Sequence, residues 1–138
     1  MKNTLISENY ASLGMGGIYH VTNYSLTLDN VTITNNTASS GGGIYSTTNS
    51  FPTLINSIIW DNSPESISLY TGTPIITYSN IEGGWEGEGN IDANPLFTDP
   101  ENGDYTLQEG SPCIDAGVAD LDGDGVDDIE IFAGSAPD

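Results

Sequence analysis

The stretch GGGIYSTTNSFPTLINSIIWDN, residues 41–62, decides the fold because most of its pattern also occurs earlier in the chain. GGIY at residues 16–19 returns at residues 42–45, and we call this separation the long offset. The long offset also relates four further pairs: Leu28 and Leu54, Asn30 and Asn56, Ile33 and Ile59, and Asn36 and Asn62. So many coincidences at one offset indicate an internal repeat.

A weaker third copy follows at a shorter separation, which we call the short offset. Four pairs coincide at the short offset: Pro52 and Pro74, Leu54 and Ile76, Ser57 and Ser79, and Ile59 and Ile81. The segment that begins at Asn9 also matches the one that begins at Asn36 once a single residue is inserted. We therefore expect the chain to begin partway through a repeat unit.

Each copy predicts short strands. In SLTLDNVTIT, residues 25–34, small polar residues alternate with apolar ones, and Asn30 resets the alternation. The residues predicted to face inward are Leu26, Leu28, Val31 and Ile33. Glycine and asparagine clusters between the runs supply turns with positive φ. Two or three short strands in a unit as long as either offset are typical of one rung of a parallel β-helix.

Stacked rungs make a further prediction about asparagine. Equivalent residues of neighbouring rungs lie about 4.8 Å apart, so Asn36 is expected over Asn62, with side-chain amide hydrogen bonds along the stack. A β-sandwich also uses many short strands with turns between them. It does not account for a repeat at a fixed offset.

Two stretches carry a resemblance to a known group. Residues 41–67, GGGIYSTTNSFPTLINSIIWDNSPESI, and residues 89–117, GNIDANPLFTDPENGDYTLQEGSPCIDAG, are similar to right-handed parallel β-helix repeat proteins of bacterial surfaces and secretions. The second stretch resembles the closing segment that follows the last rungs in many of these proteins. The resemblance implies an all-β fold, a right-handed parallel β-helix (solenoid) of about three rungs. We divide the chain into β-helix rungs (residues 1–84), a C-terminal capping segment (85–117) and an acidic calcium-binding tail (118–138).

Composition limits the partners. One Lys or Arg against twenty Asp or Glu gives a formal charge of -19, which leaves almost nothing to neutralise phosphates or anionic lipids. Nucleic-acid binding and membrane insertion are therefore not expected, and divalent cations are the favoured partners. The single Cys113 has no partner for an internal disulfide and is predicted to be a buried thiol. The N-terminal residues contain no signal sequence, so the predicted extracellular or cell-surface location implies a targeting signal outside this chain.

Catalysis finds little support in the sequence. Proteins that resemble this chain include adhesins and surface-layer-like repeat proteins, and also polysaccharide lyases and hydrolases on the same scaffold. Lys2 is the only Lys or Arg, and His20 is predicted to be exposed or in a turn. A glycosidase needs two carboxylates about 5 to 10 Å apart across a cleft. Asp29 and Asp61 are the candidates within the clear repeats, and they do not fall at equivalent repeat positions. We predict that the protein is not an enzyme.

Two surface features are candidates for ligand or partner binding. Ile55, Ile58 and Trp60 are predicted to point outward as an apolar patch, which either binds a glycan or protein partner or is covered by the capping segment. Trp85, Leu96 and Phe97 are the large apolar residues that the segment would supply. Tyr19 and Tyr45 stack at equivalent positions, either as a platform for a sugar ring or as a structural ladder.

The acidic tail contains DLDGDGVDD, residues 120–128. In the pattern of an EF-hand loop, Asp120, Asp122 and Asp124 take positions one, three and five, Gly125 makes the sharp turn, Val126 offers its carbonyl, and Asp128 takes position nine. The loop also resembles the units of dockerins and thrombospondin type 3 repeats. Ile131 stands at position twelve, so the closing ligand is expected from Glu130, from water or from Asp115. The alternative is an acidic tail without a bound ion.

The predicted function is a non-enzymatic extracellular scaffold or adhesive module with a structural Ca²⁺ site. The alternative is a carbohydrate-binding or polysaccharide-degrading β-helix protein. Repeat folds need protected ends, and the first rung has no obvious cap. We therefore expect either that further rungs precede it or that it associates with another copy of the chain.

Overall fold

A computed structural model of the protein describes residues 1–21, 25–48, 51–129 and 137. These residues form an all-β structure with one short 3-10 helix, as the sequence predicts. The elements are β1 (Lys2–Ser7), β2 (Tyr10–Ala11), β3 (Ile18–His20), β4 (Thr27–Thr34), β5 (Thr37–Ala38), β6 (Ile44–Ser46), β7 (Thr53–Ile55), β8 (Ile58–Trp60), β9 (Ile67–Leu69), β10 (Ile75–Thr77), β11 (Asn80–Ile81), β12 (Phe97–Asp99), η1 (Pro100–Asn102) and β13 (Asp104–Leu107).

Parallel pairing joins strands of successive repeat units. We number the units by residues 1–26, 27–52, 53–74 and a partial fourth unit, 75–84. The units contribute to three separate parallel sheets: β10-β7-β4-β8-β11 with β1 beside β4, β2-β5, and β3-β6-β9. Leu28 pairs with Leu54 and Leu54 with Ile76, which confirms the predicted long and short offsets.

One position of the repeat has a left-handed backbone. Asn30 in β4 has a φ of 53° and its successor Asn56 a φ of 50°. Asparagine tolerates this left-handed conformation better than most residues. The single left-handed residue reverses which side chains face inward, so Leu28 and Val31 are both buried although they are an odd number of positions apart. This confirms the predicted reset of the alternation.

The core consists of aliphatic residues stacked on their repeat equivalents. Its buried members are Leu28, Val31, Ile33, Ile44, Leu54, Ile59, Ile76 and Ile81. Residues of the first unit are less well covered, since Ile6, Ile18 and Leu26 are only partly buried. Burying one such aliphatic side chain stabilises a fold by roughly 1.5–3 kcal/mol. Each added repeat unit therefore extends the same columns of stacked aliphatic side chains.

An asparagine ladder runs beside the core. The Nδ2 of Asn9 donates to the Oδ1 of Asn36 at 2.8 Å, and the Nδ2 of Asn36 donates to the Oδ1 of Asn62 at 3.0 Å. Each oxygen also accepts the backbone N–H of the asparagine in the unit before it. The predicted ladder is confirmed, and it extends one unit further toward the N-terminus than the pair Asn36 and Asn62.

The capping segment returns along the side of the stacked strands. Strands β12 and β13 form an antiparallel hairpin, with Phe97 opposite Leu107. The hydroxyl of Tyr105 accepts a hydrogen bond from Asn35 Nδ2 at 2.8 Å and donates one to Glu8 Oε1 at 2.9 Å. Glu8 belongs to the first unit and Asn35 to the second. The hairpin therefore reaches from the end of the repeats back to their beginning.

We expect Asn62→Ala to lower the free energy of unfolding by about 3 kcal/mol or more, since each buried polar group left unpaired costs roughly 1–3 kcal/mol. Asn62 is 6% exposed. Its Oδ1 accepts hydrogen bonds from the backbone N–H and from the Nδ2 of Asn36, and its Nδ2 donates to the carbonyls of Ile33 and Trp60. Urea unfolding measures the change. The control is Asn102→Ala at an exposed position, with an expected change within about 0.5 kcal/mol. Equal effects for the two variants would contradict a structural ladder.

Candidate functional site

The acidic loop brings three carboxylates together. Oxygen atoms of Asp120, Asp122 and Asp124 lie within 4.8 Å of one another. The Asp120 carboxylate accepts the N–H of Gly123 at 2.7 Å and that of Gly125 at 2.9 Å, which fixes both of its oxygens. Gly123 and Gly125 have φ angles of 77° and 88°. Glycine adopts such positive φ values without steric cost, which allows the tight turn. The alternate aspartates of the sequence motif therefore converge on one point.

Of the remaining predicted ligands, Asp128 is not in this group of carboxylates, whereas Val126 contacts the group through its N–H. Asp128 accepts the N–H of Leu121 at 2.9 Å, and Val126 donates its N–H to Asp124 Oδ1 at 2.8 Å. Among the described residues, the grouped carboxylates do not include Asp115, which is exposed. Glu130 lies outside the described residues. The structure thus brings together three of the predicted ligand carboxylates.

The tail is joined to the repeats through Asn56, a contact that the sequence did not predict. The Nδ2 of Asn56 donates to the carbonyl of Val118, and its Oδ1 accepts the N–H of Val118, both at 2.8 Å. The N–H of Gly117 donates to the carbonyl of Pro137 at 2.6 Å. A side chain at Gly117 would collide with Pro137 and Asn56. The base of the acidic tail is therefore packed directly on the third unit.

Lys2, the only Lys or Arg of the protein, lies on the first unit. Lys2 Nζ is 2.8 Å from Asp29 Oδ2, and the Asp29 side chain is buried. The hydrogen bond to Asp29 and the charge of Asp29 raise the pKa of the Lys2 ammonium, and the charge of Asp128 raises it further. Desolvation opposes these effects and is smaller than the effects of Asp29, so the ion pair with Asp29 dominates.

The predicted outward apolar patch is partly buried. Ile58 is 7% exposed and packs with Phe97 and with Cys113, which is buried as predicted, and Trp60 lies against the same cluster. Phe97 also meets the ring of Tyr105 edge-on at 5.3 Å. Of the two alternatives, the contacts favour coverage by the capping segment. Ile55, at intermediate exposure, is outside this cluster.

The apolar residues of residues 83–117 have three different positions. Phe97 covers the outward patch, whereas Trp85 packs against the inner core. Leu96 is 38% exposed and is not among the residues packed on the outward patch. Its φ of 53° lies in the left-handed region. Trp85 therefore closes the end of the core rather than its side.

Tyr19 and Tyr45 form an exposed pair on the sheet β3-β6-β9. They pair in register, and their ring centroids are 6.0 Å apart with the planes tilted by 53°. Tyr19 is 55% exposed, and Tyr45 is half-buried. The two residues are thus adjacent at equivalent positions, as predicted, with tilted rings and with Tyr19 the more exposed of the two.

The prediction for His20 was wrong. His20 is 6% exposed, lies in β3, and has its Nδ1 3.3 Å from the hydroxyl of Ser46. Ser46 is its register partner in β6. The long offset pairs His20 with Ser46, but the sequence does not show that the pair is buried, and a buried imidazole needs such a polar partner.

Comparison with protein-family models, with curated proteins and with solved structures gave no match. Among the described residues, no helix is long and apolar enough to cross a membrane.

Proposed function

We propose that the protein is a segment of a right-handed parallel β-helix that acts as a non-enzymatic extracellular scaffold or adhesive module, with a structural Ca²⁺ site in its acidic tail. The observation that carries the proposal is the in-register pairing of equivalent residues, such as Leu28 with Leu54 and Tyr19 with Tyr45. Such stacking supports an elongated body whose surface repeats from rung to rung. It suits a protein that spaces or presents other groups.

The donor set supports Ca²⁺. Asp120, Asp122 and Asp124 supply oxygen ligands only, and Ca²⁺ prefers six to eight oxygen ligands in flexible geometry. Val126, Asp128 and Glu130 remain the proposed further ligands. The contact between Asn56 and Val118 at the base of the tail supports a structural role, since an ion bound there also restrains a segment docked on the repeats.

Ca²⁺ is expected to raise the melting temperature of the protein. For a Kd of about 10⁻⁴ to 10⁻³ M, typical of extracellular modules, 10 mM Ca²⁺ adds roughly 1.4–2.7 kcal/mol by mass action. A chain of this size then melts ~5 °C higher or more. Asp122→Asn is expected to lose most of this shift, and Asp127→Asn, an exposed residue that also loses one charge, is expected to keep it. No Ca²⁺-dependent shift in the parent protein would contradict the site.

A carbohydrate-binding role is the second candidate, because the exposed side chain of Tyr19 beside Tyr45 suits stacking against a sugar ring. On a glycan panel, Tyr19→Ala is expected to lower binding about tenfold or more, since a lost aromatic contact costs more than about 1.4 kcal/mol when it anchors the ligand. Tyr10→Ala, exposed in the same unit, is the control. If polyuronides are cleaved instead of bound, the non-enzymatic proposal fails.

The first unit supports self-association or a preceding rung. Its core residues Ile6 and Ile18 are only partly buried, and Leu5 is 50% exposed. Covering them with another copy or another rung would remove apolar surface from water. We expect this chain, expressed alone, to show a molar mass above that of the monomer by light scattering, and Leu5→Lys to shift it toward the monomer. A monomeric parent protein at high concentration contradicts self-association and favours further rungs.

A further inference from the structure

A groove of about 190 Å³ lies at the end of the repeats, and its lining contains none of the acidic-loop residues and neither Tyr19 nor Tyr45. Its lining includes Glu65, Ser66, Ile67, Glu82, Gly84 and Trp85. The groove therefore combines two carboxylates, a hydroxyl and an indole ring.

The groove lies where the asparagine ladder ends. At the short offset, the successor of Asn62 is Gly84, which has no side chain to continue the ladder. A Cβ at Gly43 would meet the Ser66 carbonyl oxygen, Ile59 Cγ2 at 3.1 Å and Asn62 Nδ2 at 3.2 Å, so this position lies beside the ladder. Ser66 follows Gly43 in the strand register, and Ser66 and Gly84 line the same groove. Ser66 therefore lies beside the place where the next asparagine is missing. Ser66 is 6% exposed, and its hydroxyl has no hydrogen-bond partner among the described residues.

The two carboxylates of the groove are held in place. Glu65 Oε1 accepts the N–H of Gly41 at 3.0 Å, and Glu82 Oε2 accepts the N–H of Asp61 at 2.9 Å. No further partner of either carboxylate occurs within the described ranges. One oxygen of each carboxylate thus remains available to a ligand, with the side chain already ordered, which reduces the entropy cost of binding.

The negative charge of the groove favours a cationic ligand. The only Lys or Arg of the chain, Lys2, is paired with Asp29 on the first unit, so it does not neutralise these carboxylates. The formal charge of -19 attracts cations to the protein as a whole. An aromatic ring adds attraction for an organic cation and contact for its apolar part.

We propose that this groove binds a primary ammonium group. An ammonium donates three hydrogen bonds and accepts none, which matches the two carboxylates and the Ser66 hydroxyl, and its aliphatic stem would lie against Trp85 and Ile67. The same chemistry is offered by a free alkylamine and by a lysine side chain of a partner protein. None of the groove residues is a proposed Ca²⁺ ligand, so amine binding and Ca²⁺ binding are tested independently.

Titration with n-butylammonium, followed by NMR of the backbone amides, tests the proposal. The N–H groups of Gly41 and Asp61 donate to the two carboxylates, so their signals report on the groove itself. Both are expected to shift and saturate. Glu65→Gln and Glu82→Gln keep the oxygen that accepts the backbone N–H and are each expected to weaken binding roughly tenfold or more, since charge-assisted hydrogen bonds are the strong ones.

Three further measurements complete the test. Ser66→Ala is expected to weaken binding by a smaller factor without lowering the melting temperature, because it removes an unpaired hydroxyl. Glu86→Gln, exposed and outside the groove, is expected to bind as the parent protein does. Tetramethylammonium, which donates no hydrogen bond, is expected to bind more weakly than n-butylammonium.

The source of the ammonium is distinguished by a comparison with Nα-acetyl-lysine methylamide. Tighter binding of the lysine derivative assigns the groove to a protein partner, and equal binding assigns it to small amines. The proposal is overturned if the Gly41 and Asp61 signals do not saturate. It is also overturned if sodium ions or glucose move them equally, or if Glu86→Gln weakens binding as much as Glu65→Gln does.

Discussion

The structure depends on the requirement that each unit place its residues directly over their equivalents in the next. Parallel hydrogen bonding fixes the spacing between units, and the ladder of Asn9, Asn36 and Asn62 fixes the lateral alignment. Each buried asparagine of the ladder satisfies its amide through the next asparagine and through backbone carbonyls of neighbouring strands. Slippage by one residue would therefore leave several buried polar groups unpaired and would also turn the aliphatic columns outward.

Most of the repeat region could be predicted because its information is periodic. Leu28, Ile33 and Asn36 each recur at a fixed offset, and strand pairing in the structure follows that offset. What failed needs more than the offset, since the long offset pairs His20 with Ser46 but does not show whether that pair is buried. The burial of His20 depends on the Ser46 hydroxyl in the next unit, and the exposure of Leu96 depends on a left-handed turn just before β12. Neither is visible in the pattern of apolar residues.

The candidate sites differ in whether nearby or distant residues of the chain form them. The convergence of Asp120, Asp122 and Asp124 is local, since the loop glycines and backbone N–H groups within a few residues create it. The groove beside Trp85 could not be predicted, because it exists only where Gly84 interrupts a ladder formed by distant residues. The docking of the tail on Asn56 was missed although this asparagine belongs to the repeat. The sequence predicts only a reset of the strand alternation at the equivalent Asn30. In the structure, Asn56 also presents its side-chain amide to the tail.

The hydrogen bond between Tyr105 and Glu8 joins residues 97 positions apart. At translation rates of about 5–20 residues per second, roughly 5–20 s pass between the synthesis of these two residues. During that interval the repeats can pair with one another as they emerge, but the side that the hairpin covers stays exposed. The lateral seam between the hairpin and the first two units can therefore close only after Tyr105 has been synthesised.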